Sequence, residues 1–156
     1  MEQKRISVDT ALLLEQYREL LQTAQTLPLV ATGNSMVPFL ADRRDTVYLS
    51  RIERPLRRGD IVLYQRESGA YILHRIYAVG PDGYDMVGDA QTQIEHGIRR
   101  GQIFAVVTAA DRKGHRQEPG CFCWDFFEKV WIRMPALRPA AMRIYGAVRS
   151  VFWRKS

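Results

Sequence analysis

The sequence predicts a mainly β protein: a curled antiparallel sheet, with one helix before it and a basic amphipathic helix after it. Three observations carry this. Between residues 29 and 115 the chain breaks into short β-branched and aromatic runs separated by turn residues. Residues 7–26 carry apolar residues at helical spacing, and so do the residues after Pro139. With 156 residues there is room for one domain and one real core without disulfide stapling.

Taken in order, residues 1–28 form the helical segment. Leu12, Leu13, Leu20 and Leu21 share a face with Tyr17, Ser7 or Asp9 is placed to cap the start, and Pro28 is expected to stop it. The β domain spans 29–118. Its strands are expected at 46–52 (TVYLSRI), 60–64 (DIVLY), 70–79 (AYILHRIYAV), 84–87 (YDMV) and 103–112 (IFAVVTAADR). Arg-Arg-Gly-Asp, Glu-Ser-Gly, Gly-Pro-Asp-Gly and Arg-Arg-Gly separate them, all of it turn chemistry. Strands spaced this way favour an antiparallel arrangement over alternating βα units. Residues 119–156 are an aromatic and basic tail, helical from Pro139, since proline is tolerated in a first helical turn.

Charge is unevenly placed. The net charge is +6, yet residues 1–128 hold 16 basic and 17 acidic residues. The surplus is Lys129, Arg133, Arg138, Arg143, Arg149, Arg154 and Lys155, with no acid after Glu128. A neutral body with one cationic appendage argues against a surface built for nucleic acid, and no nucleic-acid partner is expected. Cys121 and Cys123, one residue apart, make no disulfide framework and lack metal partners at zinc spacing. Free thiols, no metal and no cofactor are expected. No run reaches the ~18 apolar residues of a membrane span, and Glu15, Arg18 and Glu19 interrupt the first apolar stretch. The expectation is a cytoplasmic protein without a transmembrane segment.

Three short motifs carry chemistry. In Gly33-Asn34-Ser35-Met36-Val37-Pro38, glycine allows a tight bend and proline fixes the next turn. Ser35 then projects from a rigid turn with its own N–H free to stabilise an oxyanion. His74 lies in the apolar run Tyr71-Ile72-Leu73-His74-Arg75-Ile76, and Asp89 follows Val87-Gly88, with Glu95 six residues on. Each alone reads as an ordinary turn or core residue. Together they offer a nucleophile, a base near neutral pH, and a carboxylate to orient that base. A neighbouring carboxylate is expected to raise the His74 pKa above the usual 6.5 or so, so that activity falls below that pH.

SMVP at 35–38, RGDIVLY at 58–64, LHRI at 73–76, GDA at 88–90 and QIFAVVTAADR at 102–112 resemble, in that order, the boxes of the signal peptidase I group, which shares a fold with LexA-like repressor peptidases. The resemblance covers roughly residues 29–115. Where the common bacterial enzymes have a lysine base, this chain has His74, like the Ser–His branch of the group. It implies a serine endopeptidase with Ser35 as nucleophile and His74 as general base, cutting a leader or signal-like peptide bound in extended form. Asp89 and Glu95 both remain candidates for the acid; the group usually has aspartate at the second position. Asn34, Ser35 and Met36 are the candidates for the oxyanion and substrate pocket. The resemblance also implies a substrate with small residues near the cut, with Met36 lining that pocket.

Two features depart from the group: no membrane anchor is evident, and Gly33 stands where some members place an oxyanion-donating serine. The tail supplies another route to a membrane. Ala140, Ala141, Ile144, Tyr145, Ala147, Val148, Val151 and Phe152 fall on one helical face, and Arg138, Arg143, Arg149 and Arg154 on the other half. Residues 137–155 are therefore candidates for an anionic membrane surface, placing the protein peripherally at the inner face. Packing on the domain or on a partner is the alternative. All four catalytic candidates precede Lys129, so a chain ending there is expected to keep any activity. Two further readings are a non-catalytic, membrane-peripheral or partner-binding module on the same fold, and a self-cleaving LexA-like regulator. The second lacks the Ala-Gly dipeptide that such regulators cut.

Overall fold

The computed structural model describes residues 3–23 and 25–153. Helix α1 (Gln3–Leu20) leads into β1 (Thr26–Val30), β2 (Thr46–Ser50), β3 (Ile61–Gln65), β4 (Tyr71–Val79), β5 (Tyr84–Val87), β6 (Glu95–Ile98), β7 (Ile103–Arg112) and β8 (His115–Gln117). Helices α2 (Phe122–Lys129) and α3 (Arg138–Trp153) follow, joined by two 3₁₀ turns. The strands form one antiparallel sheet in the order β1-β2-β7-β3-β4-β5-β6, with β8 on β7. Bulges at Tyr48/Leu49, Leu63/Tyr64, Ile76/Ala78 and Tyr84/Met86 bend the strands. The sheet curls enough that β1, at one end of the order, borders the same cavity as β4.

Each strand alternates its side chains between the two faces, and this divides the core. One cluster holds Val47, Leu49, Ile61, Leu63, Ala105 and Val107, covered by Leu14 of α1, by Leu21 just after it, and by Trp124, Phe127 and Trp131. The other holds Val62, Tyr64, Ile76, Met86 and Val106. The segment after residue 118 therefore completes the main core and is not a free appendage up to Trp131. The sequence boundary at 118/119 misses this because the aromatic run pairs Trp124 with Phe127 at helical spacing on a helix too short to register as periodic.

Several expectations shift. Helix α1 starts before Ser7 and Asp9, so neither lies at its N-terminus, and it ends at Leu20. Pro28 sits within β1, an edge strand, where its missing N–H costs no ladder bond. The stripe that packs inward is Leu14 and Tyr17 of α1 with Leu21 just after it, while Leu12, Leu13 and Leu20 are exposed. Strands β6 and β8 are not among the expected runs, being too short and polar to show alternation.

The largest correction concerns α3. Arg138, assigned from the sequence to the solvent side, is 0 % exposed. The helix turns Arg138, Ala141 and Tyr145 towards the body, where Ala141 packs on the main core. Leu137, Ile144 (66 % exposed), Val148 and Val151 (58 % exposed) face outward. Residues 154 and 155, and the side chain of Phe152, lie outside the described residues. No helix among the described residues is long and apolar enough to cross a membrane.

Candidate active site

Ser35 stands on a turn held from beneath. Met36, Val37, Phe39 and Leu40 are buried, which pins the backbone that follows the serine. Two guanidinium groups lie against the Phe39 ring, Arg75 at 5.2 Å and Arg112 at 5.0 Å from its centroid. Arg112 also donates to the carbonyls of Pro38 (2.9 Å) and Phe39. Gly33 adopts φ +83°, and its N–H donates to Asp42 Oδ1 at 2.8 Å, closing the entry to the turn. The Ser35 N–H has no hydrogen-bond acceptor among the described residues.

Ser35 and His74 line one cavity of about 690 Å³. Its wall includes four consecutive residues of β4, Tyr71 to His74, and the consecutive stretch from Pro28 to Gly33. Neighbouring residues of a strand point to opposite faces, so a wall that uses all of them runs along the strand's edge. Both edges are unpaired there: β1 bonds only to β2, and the β4–β5 register begins at Arg75. The cavity is a slot between two free strand edges, with Ser35 and His74 on its lining. The structure records no direct hydrogen bond between these two side chains.

His74 is 4 % exposed, and its support comes from β3. Val62 lies opposite it in the ladder, so Tyr64 occupies the same face one step along. The Tyr64 hydroxyl donates to Glu95 Oε2 at 2.6 Å and lies 3.4 Å from His74 Nδ1. With its proton committed to Glu95, the phenol oxygen accepts from Nδ1–H, leaving Nε2 as the basic nitrogen. Arg66 clamps the same carboxylate with two bonds, at 2.8 and 2.7 Å. Arg66 first, and then the Tyr64 hydrogen bond, hold Glu95 below its ordinary range despite partial burial. Burial, with Glu95 next, raises the Tyr64 phenol far above the usual tyrosine value.

Asp89 does something else. It is fully buried and bound through both oxygens to Arg75, at 3.0 and 2.9 Å. Arg75 neighbours His74 in the strand and so points to the other face. The loop around Asp89 is held from three sides. Arg138 donates to the Gly88 and Gln91 carbonyls (2.8 and 2.7 Å), Trp131 Nε1 to the Asp89 carbonyl (2.8 Å), and Ala90 N–H to the Ser35 carbonyl (2.9 Å). A Cβ on Gly88 would stand 2.4 Å from that Ser35 carbonyl oxygen, so the approach demands glycine. Thus Trp131 and Arg138 brace the loop on which the Ser35 turn rests. The sequence expects a chain ending near Lys129 to keep any activity; such a chain would lack both of these braces.

Of the six candidate residues, the cavity gathers Ser35, Met36 and His74, and Tyr64 links Glu95 to His74. Asn34 is exposed and lines a separate cleft with Asp42, Arg44, Tyr145 and Arg149. It therefore lies outside the pocket to which the sequence assigns it. The sequence reading missed Tyr64, Arg66, Trp131 and Arg138. Strand register alone signals Tyr64, two positions from the partner of His74; nothing local signals Arg138. Among the described residues no cluster of His, Cys, Asp and Glu has metal-holding geometry. Cys121 and Cys123 are free and half-buried.

The electrostatics reverse one expectation. Burial first, and then the nearby Arg66 charge, push His74 down to about 4, outweighing Glu95 and Asp89. Arg66 neutralises the carboxylate that was expected to raise it. Between pH 6.5 and about 4 the unfolded chain thus binds a proton at this histidine that the folded chain does not. Stability is expected to fall as pH drops through that window, by roughly 3 kcal/mol in total. Urea unfolding at pH 7 and pH 4.5 checks this against His74→Gln, which removes the titrating group; an equal acid loss in both proteins counts against the assignment. Any activity that uses neutral His74 is expected to persist well below pH 6.5.

No family model, curated protein or solved structure matches this chain.

Proposed function

We propose that the chain is a serine endopeptidase of signal-peptidase-like type. The observation that supports this best is the slot between two unpaired strand edges, with Ser35 and His74 on its lining. An extended peptide entering it pairs its backbone with the edges and offers alternate side chains to the walls. Ser35 Oγ attacks the scissile carbonyl while His74 Nε2 takes its proton. The Ser35 N–H donates to the oxyanion. Glu95, through Tyr64, holds the imidazole tautomer, and Asp89 is a structural ion-pair partner. His74 then returns its proton to the leaving amine, and water releases the acyl group by the same path. Incubation with a random peptide library, cut sites read by mass spectrometry, tests this. Cuts are expected from the parent chain; cuts that persist in Ser35→Ala overturn the reading. A chain that binds peptides and cuts none supports the non-catalytic module instead.

A second reading concerns location, and the outward apolar stripe of α3 favours it. Leu137, Ile144, Val148 and Val151 face away from the body beside exposed Arg143 and Arg149. An apolar stripe flanked by arginines complements an anionic bilayer surface, each basic residue near it contributing about 1 kcal/mol. The full chain is expected to sediment with vesicles containing phosphatidylserine and not with neutral ones, less so at high salt. The triple variant Ile144→Ser, Val148→Ser, Val151→Ser should lose binding with its melting temperature unchanged, because these residues are exposed. Retained binding in that variant sinks the idea.

A further inference from the structure

We propose that the slot selects peptides with bulky apolar side chains, of leucine or phenylalanine type, next to the cut. This rests on the peptidase reading above and departs from the small-residue preference that the sequence resemblance implies. The cavity beside Ser35 measures about 690 Å³, well inside the range of built ligand sites. Methyl-sized side chains would leave most of it empty, and an unfilled apolar space forfeits dispersion contacts on every wall.

The walls are made for larger groups. Leu14 and Tyr17 of α1 face Leu29 of β1, Leu40 behind the serine turn, and Leu63 and Leu73 of the sheet. Leu14, Leu40 and Leu63 are buried, so the surface is a fixed part of the core. The α1 wall is tied down, since the Tyr17 hydroxyl donates to the Pro28 carbonyl at 2.7 Å. The pocket is thus preformed, and binding costs little ordering. Charge selects in the same direction. Among the described residues, Arg66 is the one lysine, arginine or carboxylate side chain in the lining, and its guanidinium is already bound to Glu95. A charged substrate side chain buried here would lose its water without gaining a free partner. An extended peptide along the β4 edge sends alternate side chains towards this space, so apolar residues are favoured at every second position.

The test separates the pocket from the chemistry. Full-length Ser35→Ala binds without cutting. Two fluorescein-labelled octapeptides, identical except for Leu-Phe-Leu against Ala-Ala-Ala at the centre, are titrated by fluorescence anisotropy. The apolar peptide is expected to bind at least about tenfold tighter, given what burying even one such side chain contributes; equal or weaker binding overturns the proposal. Leu13→Asp places a charge on the exposed rim of α1, at a residue that lines the cavity. It should weaken the apolar peptide about tenfold and the alanine peptide by less; an unaltered affinity for the apolar peptide again overturns the proposal. Independently of that variant, the apolar peptide should shift the His74 imidazole resonances of Ser35→Ala, and binding that leaves them in place lies elsewhere and sinks the pocket. A parent chain that cuts both peptides at equal rates refutes the pocket and spares the peptidase. Tenfold selective binding with no cleavage by the parent refutes the peptidase and spares the pocket.

Discussion

Ser35→Ala and His74→Gln are each expected to lower the rate of peptide cleavage by about 10⁴-fold or more. Nucleophile and base act as a unit: without the base the hydroxyl stays protonated, and without the hydroxyl the base has nothing to activate. The double variant should therefore be no slower than either single one. Ser35 is half-buried and its hydroxyl bonds no other described side chain, so Ser35→Ala should change stability by no more than about 0.5 kcal/mol. Glutamine at 74 keeps much of the volume and cannot serve as a base. Rates measured on peptides cut by the parent chain, with thermal melts alongside, check this. A Ser35→Ala protein as active as the parent removes the serine from the mechanism. Activity retained in His74→Gln assigns the base to another group.

Asp89→Asn is expected to destabilise the fold by about 3–5 kcal/mol, because it leaves a buried guanidinium without its counter-charge. Arg75 is 1 % exposed and binds Asp89 through two hydrogen bonds. Arg138, also buried, sits on the carbonyls of the same loop, and the Asp89 charge acts favourably on its guanidinium as well. At about 2–4 °C per kcal/mol for a chain of this size, the melting temperature should fall by roughly 10 °C. Glu95→Gln makes the contrast. Its ion pair with Arg66 is partly exposed, so stability should move by no more than about 1 kcal/mol. The cleavage rate per folded molecule should nevertheless drop at least about tenfold, as the tautomer of His74 loses its anchor through Tyr64. Calorimetry and kinetics on the two variants decide. If Asp89→Asn melts like the parent and loses its rate, the roles given to the two acids are reversed.

The two carboxylates show where sequence reading stops. Both lie at plausible distances from the Gly88 turn, and spacing alone leaves them equivalent. The ladder separates them. Adjacent strand residues point to opposite faces, so His74 and Arg75 look to different sides of the sheet, and each finds its own acid. The same rule puts Tyr64 beside His74, a relation visible only once the register of β3 against β4 is known. The strand runs themselves were legible because β-branched residues and turn residues alternate strongly: 84–87 and 103–112 match the strands residue for residue. Strands β6 and β8 were not, being short and polar, and β1 was not, since Thr26 to Pro28 fell in the segment read as helical.

The tail makes the same point from the other side. Its sequence determined that a helix follows Pro139 and that apolar and cationic residues divide its circumference. Which half meets the protein depends on what waits beneath. Arg138 finds the Gly88, Gln91 and Trp131 carbonyls there, and three charge-assisted hydrogen bonds offset the burial of a guanidinium. The cationic edge therefore turns inward at its start, and the apolar stripe is left facing out. A sequence determines which groups are available at which spacing. Desolvation and partner geometry, which exist only in the folded chain, decide which of those groups are buried together.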